Sequence, residues 1–241
     1  MRKLVGLVLS LCLLFVGGGI FLSGSSINSA PGQAPRIPFD HSSSTNWSGY
    51  VASGTTFNSV SGSWVQPTGT CTKGQQYAAF WVGIDGNTSG TVEQIGTDSD
   101  CLNGLPRYYA WYEMYPAASV TIPGFVVVPG STYSASVTYD SGSNMFHLTI
   151  SGGSNSTFNV SFPASGQSRS SAEWIAEAPS IGGHILDLTD FGTVNFTGPN
   201  LSSPSSTSWD KVTMTDKKGK PRAVPSSLGS NNSFSVAWQH Q

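Results

Sequence analysis

The sequence predicts an all-β fold in which antiparallel strands form a sandwich or a barrel. From residue 46 onward, short runs rich in Val, Thr, Tyr, Phe and Trp are separated by clusters of Gly, Pro, Asn and Ser. This alternation is typical of strands joined by turns. No segment of helical length carries an apolar stripe at the 3.6-residue spacing of a helix. About 200 residues of this kind fit a single domain.

Each strand is predicted from an apolar or aromatic run that is bounded by turn-forming residues. The predicted strands lie near residues 47–53, 56–66, 77–85, 91–97, 107–116, 125–128, 132–139, 145–151, 156–162, 171–178, 191–196 and 233–238. The stretch 199–232 is polar and rich in Pro, Ser and Asn. We interpret its lysine cluster at 217–220 as a solvated turn.

The N-terminus has the pattern of an export signal. Two basic residues precede an apolar run from Leu4 to Val16, and small residues follow near Ala30. We predict a signal peptide over 1–30, a linker or short pro-segment over 31–45, and a single β domain over 46–241. The apolar run can extend to Leu22, so an uncleaved signal anchor is the alternative. After cleavage we expect a secreted monomer that is free of the membrane.

The charge composition limits the classes of partner and environment. Only 10% of the residues are charged, against about 25% in ordinary globular proteins. The formal net charge of −2 at pH 7 excludes a basic nucleic-acid footprint. Because Lys and Arg are few, full protonation in acid gives only modest self-repulsion. The sequence therefore predicts tolerance of low pH and no binding of nucleic acid.

The cysteines predict one disulfide bond. Cys12 lies inside the predicted signal peptide, which leaves Cys71 and Cys101 as a pair in an oxidising compartment. A bond that closes a loop of about 30 residues contributes about 3 to 4 kcal/mol to stability. Two free thiols are the alternative.

All four glutamates, Glu93, Glu113, Glu173 and Glu177, lie in strand-like segments crowded with Trp and Tyr. A carboxyl among aromatic rings is desolvated, which raises its pKa and suits it to proton transfer. Side chains alternate between the two faces of a strand. If these strands are neighbours, one outer face gathers Trp81, Asp85, Gln94, Asp98, Trp111, Glu113, Glu173 and Glu177. The opposite alternation places Phe80, Val82 and Ile84 in the core.

Several common chemistries lack support in the sequence. The four histidines are far apart and form no H-E-x-x-H pair, so we expect no metal and no cofactor. There is no G-x-S-x-G turn of a serine hydrolase. Asp140 opens one D-S-G turn, whereas a pepsin-like enzyme needs two such turns to bring two carboxylates together.

Four sequence blocks match a known pattern in order. They are NWSGY at 46–50, WVGIDG at 81–86, EQIGTD at 93–98 with AWYEMYP at 110–116, and AEWIAE at 172–177. In this order they resemble the glutamic peptidases of the eqolisin family, peptidase family G1. Between and after these blocks the resemblance is weak. The resemblance implies a concanavalin-like antiparallel β-sandwich, a lectin/glucanase-like jelly roll, with acid-acting endopeptidase activity on polypeptide substrates.

The resemblance implies that Gln94 and Glu177 form the catalytic pair. Glu177 would take a proton from a bound water and return it to the leaving amine, with no covalent intermediate. Gln94 would donate its amide N–H to the developing oxyanion. The family's pattern also implies supporting roles. Trp47, Trp81 and Trp111 would form the walls of the cleft, and Asp85, Asp98 and Glu113 would orient the pair by hydrogen bonds. Independently of the resemblance, we predict a supporting structural role for Glu173 and a surface position for Glu93.

Two departures and one alternative remain. The family often has Trp where this chain has Met114 and Asp where it has Tyr109, so the cleft and its support can differ. The alternative function is a concanavalin-like carbohydrate-binding module or a glycoside hydrolase that uses Glu113 and Glu177. Sandwich glycosidases carry closely spaced acidic motifs such as E-x-D-x-x-E, and this chain has none.

Overall fold

The computed structural model describes residues 32–40, 42–202 and 206–241. The predicted signal peptide over 1–30 lies outside these residues. The described chain is almost entirely β-structure, with one short 3₁₀ turn at Ser230–Asn232. The strands are β1 Pro38–Asp40, β2 Ser43–Ser44, β3 Trp47–Ser53, β4 Ser59–Val65, β5 Gln75–Gln76, β6 Ala79–Ile84, β7 Val92–Leu102, β8 Leu105–Tyr115, β9 Val120–Thr121, β10 Thr132–Asp140, β11 Met145–Gly152, β12 Asn155–Pro163, β13 Ser171–Glu177, β14 Ser180–Ile181, β15 His184–Ile185, β16 Thr193–Ser202, β17 Ser208–Thr215, β18 Pro221–Pro225 and β19 Phe234–Trp238.

Two layers, antiparallel except for the short pairing of β2 with β17, form a β-sandwich, which confirms the predicted fold class. The first sheet has the order β17-β3-β13-β6-β7-β8-β9, and β5 pairs with the far end of β7. The second sheet has the order β12-β11-β10-β4-β16-β19-β18-β17-β2-β1. Strand β17 pairs with β3 along its first half and with β18 and β2 along its second half, so it joins the two layers.

The main core lies between the sheets and follows the predicted alternation. Phe80, Val82 and Ile84 of β6 are fully buried there. Trp174 of β13 reaches the same layer and stacks on Trp209 with ring centroids 4.7 Å apart. Each fully buried side chain of this size contributes about 1.5 to 3 kcal/mol of hydrophobic free energy. This layer fixes the register of the strands that carry the site residues.

The short strands β1, β2, β5, β9, β14 and β15 were not predicted, and β1 and β2 lie in the predicted linker. The strand predictions were also wrong in three longer segments. The segment 125–128 forms no strand. Strand β7 continues past residue 97 to Leu102 and β8 already begins at Leu105, because Asn103 (φ 56°) and Gly104 (φ 79°) form a two-residue turn of the kind that joins long hairpins. The polar stretch 199–232 contains β17 and β18, and the buried Val212 and Met214 of β17 alternate with Lys211 and Thr213. Two isolated apolar residues in a mostly polar strand form too weak a pattern to predict it.

The predicted disulfide bond between Cys71 and Cys101 is present, with an S–S distance of 2.00 Å and a Cα–Cα distance of 5.3 Å. It attaches the chain segment before β5 to the end of β7. Within the described ranges, no helix has the length and apolarity needed to cross a bilayer.

Candidate active site

The face of the first sheet that points away from the main core carries the candidate site. Cross-strand pairing places Glu173, Gly83, Gln94 and Glu113 in one row. The next row holds Ile175, Trp81, Gly96 and Trp111, and a third holds Glu177, Ala79, Asp98 and Tyr109. The predicted common face is therefore confirmed for every member except Asp85.

The middle row makes room for the indole rings. A Cβ atom on Gly96 would lie 2.3 Å from the carbonyl oxygen of Phe80 and 2.6 Å from the Trp81 Cβ, so only glycine fits between the Trp81 and Trp111 strands. Trp47 meets Trp81 edge to face, with centroids 5.0 Å apart and an interplanar angle of 76°. The three predicted wall tryptophans are fully buried in one cluster on this face.

Glu177, at the end of β13, is fully buried and is surrounded by N–H donors. Its Oε2 accepts a hydrogen bond from Trp81 Nε1 at 2.9 Å, and its Oε1 accepts from Asn46 Nδ2 at 3.4 Å and from the Ala34 backbone N–H at 2.9 Å. Burial raises the pKa of Glu177 well above its usual value, and the charge of Glu113 adds to this rise, while the three donors oppose it. The carboxyl group is therefore shielded from solvent, and its hydrogen bonds hold it in one orientation.

Gln94 and Glu113 form a second polar pair on the neighbouring strands. Gln94 Nε2 donates to Glu113 Oε2 at 2.9 Å, and Glu113 Oε2 also accepts from the Gln33 backbone N–H at 3.2 Å. Burial raises the pKa of Glu113 to about 8, against the opposing effect of these two donors. Glu113 thus contacts the predicted catalytic glutamine directly and fixes which way its amide points.

A short segment of this chain, residues 32–36, covers the site and is called the covering segment. The Gly32 carbonyl accepts a hydrogen bond from Ser180 N at 3.0 Å, and Arg36 N donates to the Gly86 carbonyl at 3.0 Å. Between these ends, Trp47 Nε1 donates to the Ala34 carbonyl at 3.0 Å. The segment is held mainly by its backbone, as an extended peptide would be.

The peptide group between Gln33 and Ala34 lies between the two predicted catalytic side chains. Gln94 Nε2 donates to the Gln33 carbonyl oxygen at 3.4 Å. The N–H of the same peptide group, on Ala34, donates to Glu177 Oε1 at 2.9 Å. One amide therefore has a neutral donor at its oxygen and a carboxyl at its nitrogen.

Asp98 forms no side-chain hydrogen bond with Gln94 or Glu177, contrary to the prediction that it orients them, and it bonds to neighbouring aromatic side chains instead. Its carboxyl accepts hydrogen bonds from Trp111 Nε1 and, at 2.8 Å, from Tyr109 OH, which also lies 2.8 Å from Asp100 Oδ2. A phenol has one hydrogen, so one of the two carboxyls must be protonated to donate to the phenol oxygen. Burial raises the pKa of Asp98 well above its usual value and that of Asp100 to about 7. Tyr109, a departure from the family pattern, thus bridges two aspartic acids.

Asp85 forms no side-chain hydrogen bond with Gln94 or Glu177, contrary to the prediction that it orients them. It follows β6 with a φ of 72°, and its carboxyl accepts from the Arg169 N–H at 2.7 Å, the Ser170 N–H at 2.9 Å and the Ser170 hydroxyl at 3.0 Å. A positive φ breaks the regular up-and-down alternation of side chains along a strand. The Asp85 side chain therefore points toward the residues that precede β13 instead of toward the site face. Asp85 fixes the entry of that strand.

Glu93 is fully buried, so the prediction of a surface position was wrong. It pairs with Ile84 and Met114 and faces the main core, as its alternation required. Burial raises its pKa to about 9, with a further rise from Asp85.

Glu173 is buried on the site face, and burial raises its pKa well above its usual value. No Lys, Arg or His is among the neighbours whose charge or hydrogen bonds shift the pKa values of these buried carboxyls.

Sequence reasoning missed Asn46 as a site residue. Its Nδ2 donates to Glu177 and, at 3.1 Å, to the Pro35 carbonyl, while its Oδ1 accepts from the Ile37 N–H at 2.8 Å. Asn46 is the first residue of the NWSGY block, and its place in that block was the one indication in the sequence that it belongs to the site. An asparagine before a strand is so common that the block alone did not separate it from an ordinary turn residue.

Comparison with known proteins places the chain among peptidases. Residues 45–238 match the peptidase A4 family. Aspergillopepsin-2 of Aspergillus niger is 29% identical over 187 residues, which cover 68% of this chain and 66% of that protein, just under two thirds of its length.

Solved structures agree on the fold. A scytalido-glutamic peptidase bound to a transition state analog inhibitor has a TM-score of 0.71 at 23% identity, over 81% of this chain and 98% of that one. The aspergilloglutamic peptidase from Aspergillus niger has a TM-score of 0.59 at 27% identity, over 68% of this chain and 99% of that one.

Proposed function

The chain belongs to the peptidase A4 family, the glutamic peptidases of the eqolisin type, and we propose that it is an endopeptidase whose catalytic pair is Gln94 and Glu177. The observation that carries the proposal is the peptide group between Gln33 and Ala34, which contacts both side chains at once. The site accommodates an extended polypeptide backbone with a scissile-type amide at its centre. This supports polypeptides as substrates over the carbohydrate alternative.

Glu177 is the proton-transfer group of the proposed mechanism. Ionised, it takes a proton from a water molecule that attacks the carbonyl carbon; protonated, it returns a proton to the amine nitrogen, which is the atom that Glu177 faces. The N–H groups of Trp81 and Asn46 stabilise the ionised form, while burial favours the protonated form. The balance between them sets the pH at which both forms are accessible.

Gln94 is the oxyanion donor of the proposed mechanism. A neutral amide donates at any pH, so it keeps this role in acid. Glu113 accepts one N–H of Gln94 Nε2, which leaves the other directed at the carbonyl oxygen. Such a donor contributes about 3 to 4 kcal/mol to the transition state in comparable sites. The distance of 3.4 Å to the ground-state oxygen shortens as that oxygen gains charge.

Acid action follows from the carboxyls that support the pair. Glu113, Asp98 and Asp100 all have raised pKa values, so they are neutral in acid and the site carries little negative charge there. As they ionise, their charges oppose the ionised form of Glu177 and repel an attacking hydroxide-like water. We therefore place the activity on the acid side of neutrality. The predicted signal peptide and the disulfide bond support secretion.

One experiment separates the peptidase from the carbohydrate alternative. The purified protein is incubated with denatured casein from acid to neutral pH, with pepstatin present to exclude aspartic peptidases, and in parallel with a panel of polysaccharides. Acid release of peptides with no sugar release supports the proposal. Binding or hydrolysis of a polysaccharide without peptide release contradicts it. N-terminal sequencing of protein from the culture supernatant tests secretion, and recovery only in membranes would indicate an anchor.

A further inference from the structure

A buried cluster of Asp98, Asp100 and Tyr109 lies beside the site, near the turn of the hairpin that β7 and β8 form. The Tyr109 hydroxyl lies 2.8 Å from a carboxyl oxygen of each aspartate. The other oxygen of Asp98 accepts a hydrogen bond from Trp111 Nε1. Both aspartates are at most 2% exposed. A single hydroxyl thus joins two carboxyls that are shielded from solvent.

The hydroxyl limits how the cluster holds its protons. A phenol has one hydrogen to donate, and its oxygen accepts a hydrogen bond from another donor. The two short contacts therefore need a proton on one aspartate, which donates to the phenol oxygen while the phenol donates to the other carboxyl. When a single proton remains on the two carboxyls, this chain of hydrogen bonds starts at Asp98 or at Asp100.

The surroundings of the two aspartates place that proton on Asp98. Asp98 lies in the same row as Glu177 with only Ala79 between them, so their Cα atoms are two strand spacings apart, about 10 Å. Asp100 lies one row farther away, opposite the exposed Arg107. A negative charge is thus less unfavourable on Asp100. In agreement, burial and then the charges of Asp100 and Glu177 raise the pKa of Asp98 well above its usual value, whereas burial raises that of Asp100 to about 7.

We propose that Asp98 is a positioning residue that must keep its proton for the site to work, and that Tyr109 and Asp100 hold the proton there. The inference rests on the proposed function, because it concerns the proton that Glu177 has to release. Two carboxyls this close in a buried site titrate as a coupled pair, so the charge of one disfavours ionisation of the other. While Asp98 is protonated, Glu177 can ionise and act as the base. When Asp98 ionises at higher pH, its charge opposes the ionised base and hydrolysis declines.

Other titratable and charged side chains surround the cluster. They are Glu177 of β13, Arg107 of β8, Lys73 before β5, Tyr77 before β6, and Asp187 and Asp190 of the segment whose backbone bonds to Tyr77 and Thr70. Among these, Glu177 is the one whose charge raises the pKa of Asp98, together with Asp100. Tyr77 is affected by Asp100, since burial and then the charge of Asp100 raise its pKa. The coupling that reaches the catalytic side chain therefore runs through Asp98.

The test compares one substitution at the two aspartates. Asp98→Asn provides an amide that donates to Tyr109 and accepts from Trp111 at every pH, as the protonated acid does. Asp100→Asn removes the neighbouring charge and provides an amide that donates to the Tyr109 oxygen, so the phenol donates to ionised Asp98 instead. The readout is the pH on the alkaline side at which kcat/KM on a cleaved peptide falls to half its maximum. This midpoint should rise by at least about one pH unit in Asp98→Asn and fall by about one in Asp100→Asn. Equal midpoints, or shifts in the same direction, would overturn the proposal.

The part played by Tyr109 is tested in a Tyr109→Phe background, which keeps the ring and removes the hydroxyl. Asp100→Asn should then move the midpoint by less, because the new amide has no hydroxyl to redirect toward Asp98. A shift as large as the one with tyrosine present would contradict the role of Tyr109. Urea unfolding of each variant limits the comparison to pH values at which it is folded.

A second readout needs no activity. The NMR resonance of the Trp111 indole N–H, which bonds to Asp98, is identified by its loss in Trp111→Phe. It should titrate with the same midpoint as the decline in kcat/KM in the wild type, and at a lower pH in Asp100→Asn. If Asp98→Asn does not fold, this titration in the other two proteins tests the same proton. A resonance whose titration does not respond to Asp100→Asn would overturn the proposal.

The two readouts also separate this inference from the proposed function. Peptide hydrolysis that is lost in Glu177→Gln but has the same alkaline midpoint in both asparagine variants overturns the role of Asp98 and leaves the catalytic pair intact. Absence of peptide hydrolysis by the wild type overturns the proposed function, and the Trp111 titration then still shows whether Asp98 holds the proton. Opposite shifts of the midpoint in an active enzyme support both.

Discussion

The two faces of the first sheet are buried equally but by different means. On one face, Phe80 and Val82 are covered by the second sheet, and their burial needs nothing but apolar packing. On the other, Trp81, Gln94 and Glu177 are also fully buried, and the covering segment lies across the two polar side chains. The first cover is part of the fold. The second is a short stretch of backbone held by a few hydrogen bonds.

The difference shows how a stable sheet can carry a dry polar site. Packing on the core face fixes strand register, so the opposite face can hold carboxyls that burial alone would make unfavourable. With no basic partner, burial raises the pKa values of these carboxyls, which favours their uncharged forms and lowers that cost. The two faces should therefore respond differently to substitution and to pH.

The largest expected difference is in catalysis, at Glu177. Glu177→Gln keeps the shape of the side chain but cannot accept a proton from water, so kcat/KM on an acid-cleaved peptide should fall by at least about a thousandfold. Glu173→Gln is the matched control on the same strand and face, and it should stay within about tenfold of the wild type, since only a supporting role is proposed for it. A similar loss in both variants would remove the distinction between the two glutamates.

Gln94→Ala should lower kcat/KM by about a hundred- to a thousandfold because it removes the proposed oxyanion donor. Gln66 is a matched glutamine that serves the other face: it is buried, and its Nε2 donates to Ser99 Oγ at 2.8 Å. Gln66→Ala should cost about 1 to 3 kcal/mol of stability and leave kcat/KM nearly unchanged. Measuring kcat/KM and the urea unfolding of both variants distinguishes a catalytic role for Gln94 from a structural one. Activity that tracks stability in both variants would show that Gln94 is only structural.

Gly96→Ala should destabilise the protein by about 1 to 3 kcal/mol or more, because the new methyl group meets the Phe80 carbonyl and the Trp81 side chain. Gly90→Ala is the control, since a Cβ there meets no atom within 4 Å. Urea unfolding of the two variants measures the difference. Equal stability would mean that the strands separate easily at the tryptophan row.

The remaining expected effect is on the pH dependence of stability. The pKa of Glu93 rises from 4.5 to about 9 in the folded protein, so the folded state binds its proton more tightly than the unfolded state. Its stabilising effect is complete below about pH 4.5 and is lost as pH rises toward 9, with a slope of at most about 1.4 kcal/mol per pH unit. The pKa values of Glu113 and Asp100 are raised as well, to about 8 and about 7, so these carboxyls also lose their stabilising effect as the pH rises. Unfolding free energy should thus fall from acid to alkaline pH.

Glu93→Gln removes one titrating group and should flatten this decline. Asp140→Asn is the control, because Asp140 is exposed and hydrogen bonds from Ser143 and Gly142 lower its pKa. Its contribution is present above its unfolded pKa and is lost only in acid, so the slope between neutral and alkaline pH should not change. Urea unfolding at a series of pH values gives the slopes. A slope that is unchanged in Glu93→Gln would indicate that this carboxyl ionises freely in the folded protein.

The sequence predicted the shared face because strand alternation is a local property. Trp81, Gln94, Glu113 and Glu177 came to one face of adjacent strands as their alternation required. Alternation failed at Asp85, where a positive φ ends the strand geometry. It gave the correct direction for Glu93, but it could not show that this side of the sheet is covered by a second sheet. Whether a side chain is buried depends on which part of the protein packs against its face of the sheet, and the local sequence does not contain that information.

The sequence by itself determined the all-β class, the disulfide pair and the set of polar and aromatic side chains on one face, because these follow from alternation, residue type and spacing. The tertiary structure alone decided which of those side chains meet. Asn46 reaches Glu177 across 131 positions of sequence, and the covering segment reaches Gln94 across 61. Such contacts depend on how distant strands pack and on where a chain end passes over a sheet. A hydrogen bond between distant residues forms only when the whole sandwich fixes both partners.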